Sequence, residues 1–424
     1  MEHLEKLQLK SRKAEKTKTK TKEGSKAPNM KWAVLSLASI PLVMTLGNSM
    51  LIPVLPAMEK NLNISSFQVS MILTVYSIVA ILLIPVAGCL SDHIGRKKVI
   101  IPSLFIAGIG GLISGWAAWK LDNAYWIILA GRALQGVGAA GAFPIVLPLI
   151  GDMFKSDDEV SSSLGVIETS NTLGKVVSPV LGAFLAGFVW FLPFLAFPVF
   201  CAISIVLVMF LIKTPKEKEE PIPFKEFLQN IKKTFTHNGK WLIAIFIIGI
   251  IMMFVLFGVL FYLSDVLEKT YGMKDTKKGF LLAIPLGALC IASFITGKFI
   301  KENKILMKWL IFFGSLLSAV SIAILSFSNG MWYMLILFIF GGIGIGVTLP
   351  CLDALITNGI EKEERGTITS IYSSMRFIGV AAGPPIVAIL MKHADNFLFY
   401  ILSGVTALAI IATFMAIKPD KEKA

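Results

Sequence analysis

Long apolar runs alternate with short polar turns along this chain from residue 32 to residue 417. Each run has about the 20 mostly apolar residues that cross roughly 30 Å of hydrocarbon. Lipid offers backbone groups no hydrogen-bonding partner, so each run is expected to be an α-helix. We predict an all-α integral membrane protein with twelve transmembrane helices, at 32–56, 67–90, 99–119, 125–150, 161–188, 190–213, 241–265, 279–299, 305–327, 331–357, 367–391 and 396–417.

Composition supports a place in the bilayer. The 424 residues are 55% hydrophobic and only 16% charged, with a mean hydropathy of +0.75, which is too apolar for an ordinary soluble globule. The four cysteines lie in or at the edges of predicted helices without the spacing of metal ligands. We therefore expect no disulfide framework, no metal site and no cofactor.

A formal net charge of +13 is compatible with nucleic-acid binding, but the placement of the charges indicates a membrane. When alternate loops are assigned to two sides, 30 Lys and Arg residues fall on the side of both termini and seven on the other. The positive-inside rule then places both termini in the cytoplasm. The basic run Lys16–Lys22 would face anionic lipid. The first thirty residues lack the apolar centre of a cleavable signal, so we expect a multi-pass protein of the bacterial plasma membrane.

A hydrophilic segment, Lys213–Lys240, divides the chain into two sets of six helices. Within it, apolar residues from Phe224 to Phe235 recur at spacings of three and four, with lysines between them, which predicts an amphipathic helix on the inner membrane surface. The expected organisation is a basic cytoplasmic tail (1–31), an N-terminal six-helix bundle (32–213), a cytoplasmic linker (214–240), a C-terminal six-helix bundle (241–417) and a short cytoplasmic tail (418–424).

The two halves also echo each other in sequence. Ser178-Pro179 in the fifth span corresponds to Gly383-Pro384 in the eleventh, and glycines open the fourth and tenth spans similarly. Internal repeats of this kind are common in transporters that rock two bundles around a central site. We therefore predict two pseudo-symmetric bundles.

The loop after the second predicted span is dense in charge. Residues 88–98 read GCLSDHIGRKK, in which Gly88 would permit close helix approach and Asp92 could accept hydrogen bonds from a helix N-terminus. The order Gly, three residues, Asp, two residues, Gly-Arg-Lys-Lys resembles the loop between the second and third spans of major facilitator superfamily transporters. The alternative is that Arg96 and the two lysines only set topology.

The resemblance implies a latch that favours the outward-open state. In it, Asp92 would face the start of the eleventh span near Gly366 and Thr367, and Arg96 would meet Asp152. Such a contact breaks on inward opening, which makes it a two-state element. The residues assigned to the latch are Gly88, Asp92, Gly95, Arg96 and Asp152.

Two more motifs carry the resemblance, which covers nearly all of 32–417. Residues 132–140 read RALQGVGAA, similar to the family pattern in the fourth span; an arginine this deep must face protein or water. The family role of Arg132 is proton transfer or shaping of the cavity, and the alternative is a structural arginine bonded to carbonyls.

Residues 174–183 read GKVVSPVLGA and resemble the antiporter signature of the twelve-span drug:proton antiporter branch. The motif residues here are Gly174, Ser178, Pro179 and Gly182. Ser178 and Ala183 stand where the family signature has glycines.

A polar stripe runs along the fifth span. Glu168, Asn171, Thr172, Lys175 and Ser178 share one face at 3.6 residues per turn, and a helix in lipid cannot turn such a face outward. The stripe must line a cavity or another helix. Asp353 and Arg376, from the second half, are expected to join these polar residues. One hypothesis is a functional contact between Glu168 and Arg376 across the halves. Its alternative is a static pair that only fixes helix packing.

Proton coupling requires a group that changes charge cheaply. All four histidines lie outside membrane depth, so a carboxylate is expected to do it. Glu168 is the first candidate and Asp353 the second, and Arg132, Asn171, Lys175 and Arg376 are expected to share the proton-coupling cavity.

The resemblance implies a secondary active transporter, not an enzyme, that exports a small amphipathic, drug-like compound in exchange for protons by alternating access. The slight excess of intramembrane cations leaves open an anionic or zwitterionic metabolite such as a siderophore or a glycolipid, and a ligand sensor on the same fold is a non-transport alternative. Tyr76, Phe143 and Tyr372 could stack on a substrate ring, or serve only packing. The expected partners are a small-molecule substrate, protons and membrane lipid, with no nucleic acid, and we expect a monomer.

Overall fold

The computed structural model describes residues 30–154, 157–212, 224–300, 303–328, 330–360 and 362–417, with the backbone alone at 224–238, at 362–367 and at a few other positions near helix ends. Twelve long helices account for most of these residues. They are α1 (Met30–Ser49), α2 (Ser66–Ile94), α3 (Arg96–Lys120), α4 (Tyr125–Met153), α5 (Asp157–Phe188), α6 (Leu192–Leu211), α7 (Phe224–Lys269), α8 (Asp275–Ile300), α9 (Lys304–Ile324), α10 (Met331–Gly359), α11 (Lys362–His393) and α12 (Leu398–Ala416). A 3-10 turn, Ile52–Val54, and a short helix, Leu55–Leu62, follow α1.

Each predicted span overlaps one of these helices, although the first, predicted to reach residue 56, ends at Ser49 and is followed by the 3-10 turn and the short helix. Within the described part of the chain, eleven are long and apolar enough to cross a membrane. The exception is α5, which has 32 residues but carries the polar stripe that contains Glu168, Asn171 and Lys175. Burial of this stripe against neighbouring helices allows α5 to lie among the other spans.

The linker segment differs from its predicted arrangement. The structure continues the helix from Phe224 without a break into the seventh span, so α7 has 46 residues. At 1.5 Å per residue α7 is about 69 Å long, more than twice the hydrocarbon thickness of about 30 Å. Its first turns therefore extend beyond the membrane as part of α7 instead of forming a separate surface helix.

Local signals set where several helices begin and end. Ser65 caps α2 by accepting from the Gln68 amide, and the Gln68 side chain accepts from the Ser65 amide in return. Gly95 separates α2 from α3 with a φ of 101°, a conformation that favours glycine. The Lys97 ammonium donates to the Ile212 carbonyl just after the end of α6, at 2.7 Å.

Helix packing shows that the two halves, α1–α6 and α7–α12, are related by a pseudo-twofold operation. In the first half, α1 packs on α5 and α6, α2 on α4, and α3 on α4 and α6. In the second half, α7 packs on α11 and α12, α8 on α10, and α9 on α10 and α12. Adding six to each helix number converts one set into the other. The two seams between the halves, α2 with α11 and α5 with α8, are exchanged by the same operation.

Equivalent glycines make the equivalent helix crossings. A Cβ at Gly136 of α4 would clash with the Tyr76 carbonyl oxygen of α2. A Cβ at Gly342 of α10 would clash in the same way with the Pro285 carbonyl oxygen of α8. Without a hydrophobic driving force between helices in lipid, such close backbone approach is what packs them.

Contacts between the halves gather on the face of the bundle opposite both chain termini. This far face carries residues 50–65 and the loop between α7 and α8, whereas α1 begins and α12 ends on the terminal face. Far-face residues of the first half, including Ile52 and Met58, belong to the same hydrophobic core as Leu263 of α7 and Leu282 of α8. The far face is therefore closed.

Hydrogen bonds and ion pairs hold this closure. Lys278 of α8 has an exposed fraction of 1% and donates to the Pro53 carbonyl and to Glu268, both at 2.7 Å. Lys269 of α7 bridges Glu59 of the first half, at 3.0 Å, and Asp265 of its own helix, at 2.8 Å. We call these five side chains, together with the Pro53 carbonyl, the far-face seal.

Replacing Lys278 with Met should open the far face in a larger fraction of molecules. The substitution removes the bond to Pro53 and leaves Glu268 without its buried cation, and hydrogen bonds to charged groups contribute about 1.5–3 kcal/mol. Spin labels at Asn61 and Thr270, in a protein with its four cysteines replaced, should show a longer-distance population that grows about tenfold or more.

The matched control is Lys277→Met, because Lys277 is the exposed neighbour of Lys278 on the same turn. Its distance distribution should match that of the parent protein. If both variants shift the distribution equally, the seal does not depend on the buried ammonium.

Candidate functional site

The polar stripe of α5 divides into two parts by its partners. The Thr172 and Ser178 hydroxyls donate to carbonyls of their own helix. Asn171 instead accepts from the Thr45 hydroxyl of α1 at 2.7 Å and donates to the Glu168 carboxylate at 3.3 Å. Glu168 is exposed, so the Glu168 end of the stripe reaches water. Asn171 ties this end of the stripe to α1.

Lys175 lies two turns further along α5 and has an exposed fraction of 8%. The charges that act on it come from Arg376 of α11, Asp353 of α10 and Glu168 of its own helix. Four of the five charged residues that the sequence predicts for a cavity therefore share one region between the halves, and Arg132 is the exception.

Arg376 makes its ion pair inside its own half. Its guanidinium lies 3.3 Å from the Asp353 carboxylate and 5.5 Å from the centre of the Tyr372 ring. Tyr372 in turn stacks on Phe246 of α7, with ring centres 6.0 Å apart. Among the described side chains the hypothesised Glu168–Arg376 contact is not made, because Asp353 lies closer and Glu168 is across the seam. The Asp353 side chain has an exposed fraction of 34% and the Arg376 side chain one of 17%, so water reaches this pair.

Arg132 is not at this site. It is fully buried in the first half and donates to the Ile72 and Gly47 carbonyls, at 2.7 and 3.1 Å. It also donates to the Gln135 and Asn48 side chains, and its guanidinium lies 4.6 Å from the centre of the Tyr76 ring. This environment corresponds to the structural alternative for Arg132, an arginine that joins α1, α2 and α4 through their carbonyls.

The predicted latch is partly assembled. Arg96 contacts Asp152 at the end of α4, as the family pattern implies, and also pairs with Asp92 at 2.9 Å. Both contacts lie within the first half and are made while the far face is closed, so, against the expectation, they do not mark the outward-open state. A Cβ at Gly88 would meet no described heavy atom within 4 Å, so no close approach occurs there. The expected partners of Asp92, Gly366 and Thr367, lie in the stretch outside the described side chains.

The antiporter-like segment of α5 is a packing element. A Cβ at Gly182 would clash with the Met50 carbonyl, and one at Gly174 would lie 3.1 Å from the Thr45 side chain. On the opposite side, Gly279 of α8 packs directly on the Pro179 carbonyl. Gly174 and Gly182 thus hold α5 against α1, while Pro179 forms part of the seam with the second half.

Sequence reasoning missed the far-face seal. Lys269 and Lys278 fall in a predicted loop, where charge is unremarkable, and Glu59 shows no periodic signal. The spacing of Asp265, Glu268 and Lys269 at the end of the seventh span was the available hint, since residues three and four apart share a helix face. Of the candidate aromatic residues, Tyr76 and Tyr372 are buried against Arg132 and Arg376, and Phe143 is partly buried in the core of the first half.

The chain matches known proteins over most of its length. The model of the Major Facilitator Superfamily matches residues 37–384 and 303–424. The chain is 54% identical over 395 residues to the bacillibactin exporter of Bacillus subtilis (strain 168), a match that covers 92% of this chain and 98% of that protein. It is 27% identical over 360 residues to the class C tetracycline resistance protein of Escherichia coli, with 80% and 85% of the two chains covered.

Two further comparisons are more distant. The quinolone resistance protein NorA of Staphylococcus aureus (strain N315) is 23% identical over 373 residues, covering 86% of this chain and 92% of that protein. The crystal structure of the human organic anion transporter MFSD10 (TETRAN) superposes with a TM-score of 0.72 at 16% identity, covering 91% of this chain and 100% of that one. At this identity the structural likeness concerns the fold alone.

Replacing Arg132 with Lys should destabilise the protein. A lysine ammonium cannot reach four acceptors in the planar arrangement of a guanidinium, and each buried acceptor left without a donor costs about 1–3 kcal/mol. The midpoint of thermal unfolding in detergent should fall clearly, while Lys98→Ala, at an exposed position beyond the latch, should leave it unchanged. A variant that is as stable as the parent but inactive would instead assign Arg132 to the transport step.

Proposed function

We propose that this chain exports a siderophore. The chain belongs to the Major Facilitator Superfamily and is therefore a multi-pass membrane transporter, not an enzyme. The substrate we propose is bacillibactin or a close chemical relative. The observation that carries this proposal is the 54% identity, nearly end to end, to a bacillibactin exporter. The location that we propose for this chain is the bacterial plasma membrane, with both termini in the cytoplasm. We propose that it acts as a monomer.

The arrangement of the two halves supports transport by alternating access. The far-face seal closes one side, while Glu168 and the Asp353–Arg376 pair remain reachable by water from within the bundle. With both termini cytoplasmic, the far face is extracellular, and this conformation is the one in which an exporter loads substrate. Opening of the seal, with rocking about the two seams, would then release the substrate outside.

The balanced charge of the site fits a zwitterionic compound, or one with a single acidic group, better than a permanent cation. Because Arg132 is enclosed elsewhere, the site holds Lys175 and Arg376 against Glu168 and Asp353. These charges balance, whereas a site for a permanent cation is expected to carry excess acid. The second candidate function is efflux of an amphipathic drug, which the similarity to tetracycline and quinolone resistance proteins supports.

Proton coupling is part of the proposal and rests on the two carboxylates. Glu168 is exposed at the water-accessible end of the stripe, and Asp353 is paired with Arg376. A proton that neutralises either group changes the balance of charge between the halves. Such a change biases an equilibrium between two packings that differ by only a few kcal/mol.

Transport should be visible in liposomes that contain the purified protein. With an acidic interior and a more alkaline exterior, iron-free bacillibactin should accumulate inside above the level of protein-free liposomes, and a protonophore should abolish the difference. Accumulation of ethidium without bacillibactin would favour drug efflux. Binding of bacillibactin without movement in either direction would identify a ligand sensor and overturn the proposed function.

Replacing Glu168 with Gln should abolish proton-driven accumulation while the protein remains folded in the membrane. The amide keeps the shape and the hydrogen bond with Asn171 but cannot exchange a proton. Asp122→Asn, at an exposed position on the far face, is the matched control and should transport normally. Unchanged pH dependence in Glu168→Gln would remove Glu168 from the coupling role, and Asp353→Asn would then be tested in the same assay.

A further inference from the structure

Lys175 is a buried lysine whose ammonium has no described acid in direct contact. Its exposed fraction is 8%, and across the described residues its ammonium donates no hydrogen bond and makes no ion pair. The other deeply buried lysine, Lys278, donates to a carbonyl and a carboxylate. The Lys175 Nζ atom is not among the side-chain atoms that are shut off from solvent without a partner, so the ammonium of this buried residue faces open space. A charge held at such a place is favourable when an oxygen of opposite charge is supplied from outside the chain.

The neighbouring charges are engaged elsewhere. Asp353, the acid of the opposite half, is paired with Arg376 at 3.3 Å. Glu168 lies seven residues earlier on the same helix, about 10 Å along the axis, and receives the Asn171 amide at 3.3 Å. Arg376 adds a second positive charge to the surroundings of Lys175. Glu168 and Asp353 offset that charge, so the surroundings of Lys175 are close to balanced, and no described carboxylate in contact with its ammonium excludes an incoming anion.

The position of Lys175 is suited to a transported ligand. The residue lies about 27 Å along α5 from its first residue, beyond Glu168 and next to the seam where α5 packs on α8. Gly174, the neighbour of Lys175, packs on Thr45, so this part of α5 lies directly against α1. A ligand held here would contact both halves, which a substrate must do to couple its binding to their relative motion.

We propose that the Lys175 ammonium binds an anionic oxygen group of the transported compound, so that Lys175 determines specificity for organic acids over organic cations. This inference rests on the proposed function, because it concerns the compound that the proposed exporter carries. Lys175 would hold one such group in the iron-free compound by a charge-assisted hydrogen bond. Asp353, Arg376 and Glu168 remain available for the proton step.

The test is equilibrium binding by the purified protein to three probes: iron-free bacillibactin, the small aromatic acid 2,3-dihydroxybenzoate, and the cation tetraphenylphosphonium. Lys175→Gln should weaken binding of both acids about tenfold or more and leave binding of the cation unchanged or stronger. Lys175→Arg, which keeps the charge, should bind the acids within about threefold of the parent protein. Lys277→Gln, an exposed lysine on α8, is the matched control and should bind all three probes as the parent does.

Folding is not expected to limit the test, because removal of an unpartnered buried charge should keep or raise the thermal unfolding midpoint. If Lys175→Gln does not assemble, Lys175→Met provides the same loss of charge with a side chain of similar reach. Unchanged acid binding in either variant would overturn the inference, even where the parent transports bacillibactin. Dependence on Lys175 for 2,3-dihydroxybenzoate alone would support the anion site and overturn the siderophore assignment. Binding of tetraphenylphosphonium alone, unaffected by either variant, would overturn both.

Discussion

Lipid offers no partner to a polar group, and the charged residues inside this bundle are arranged around that constraint. Arg132 satisfies it by donating to helix carbonyls and side-chain oxygens, and Lys278 by donating to Pro53 and Glu268. Both residues thereby fix the helices around them. Lys175 does not satisfy it with described residues, and this difference separates a structural charge from a candidate binding charge.

The same constraint explains the architecture. Because apolar side chains gain little by leaving lipid for a helix interface, close backbone packing has to hold the helices together. Gly136 and Gly342 provide it at equivalent crossings, and the packing pattern repeats between the halves. Each half is then a firmly packed unit, and the interactions between them concentrate in two seams and the far-face seal. Motion between the halves requires only these contacts to change.

The sequence predicted the elements more fully than the side-chain contacts. Helix type and position followed from run length, and the pseudo-symmetry from the Ser178-Pro179 and Gly383-Pro384 echo. The Arg96–Asp152 contact followed from a family resemblance. The role of Arg132 could not be resolved from sequence, because a cavity and a set of carbonyls both satisfy the requirement that it face away from lipid. The choice of Asp353 over Glu168 as the partner of Arg376 depended on distances across a seam.

Run length, polar spacing and loop charge alone determined that the chain is a helical membrane protein of two related halves with a polar face on α5. These properties are local, since a hydrophobic run or a helix face is defined by neighbours in sequence. Only the tertiary structure decided that the far face is closed, that Arg132 is enclosed, and that Lys175 lies without a described partner beside the charges of the other half. Each of these depends on residues from helices far apart in the chain, which packing alone brings together.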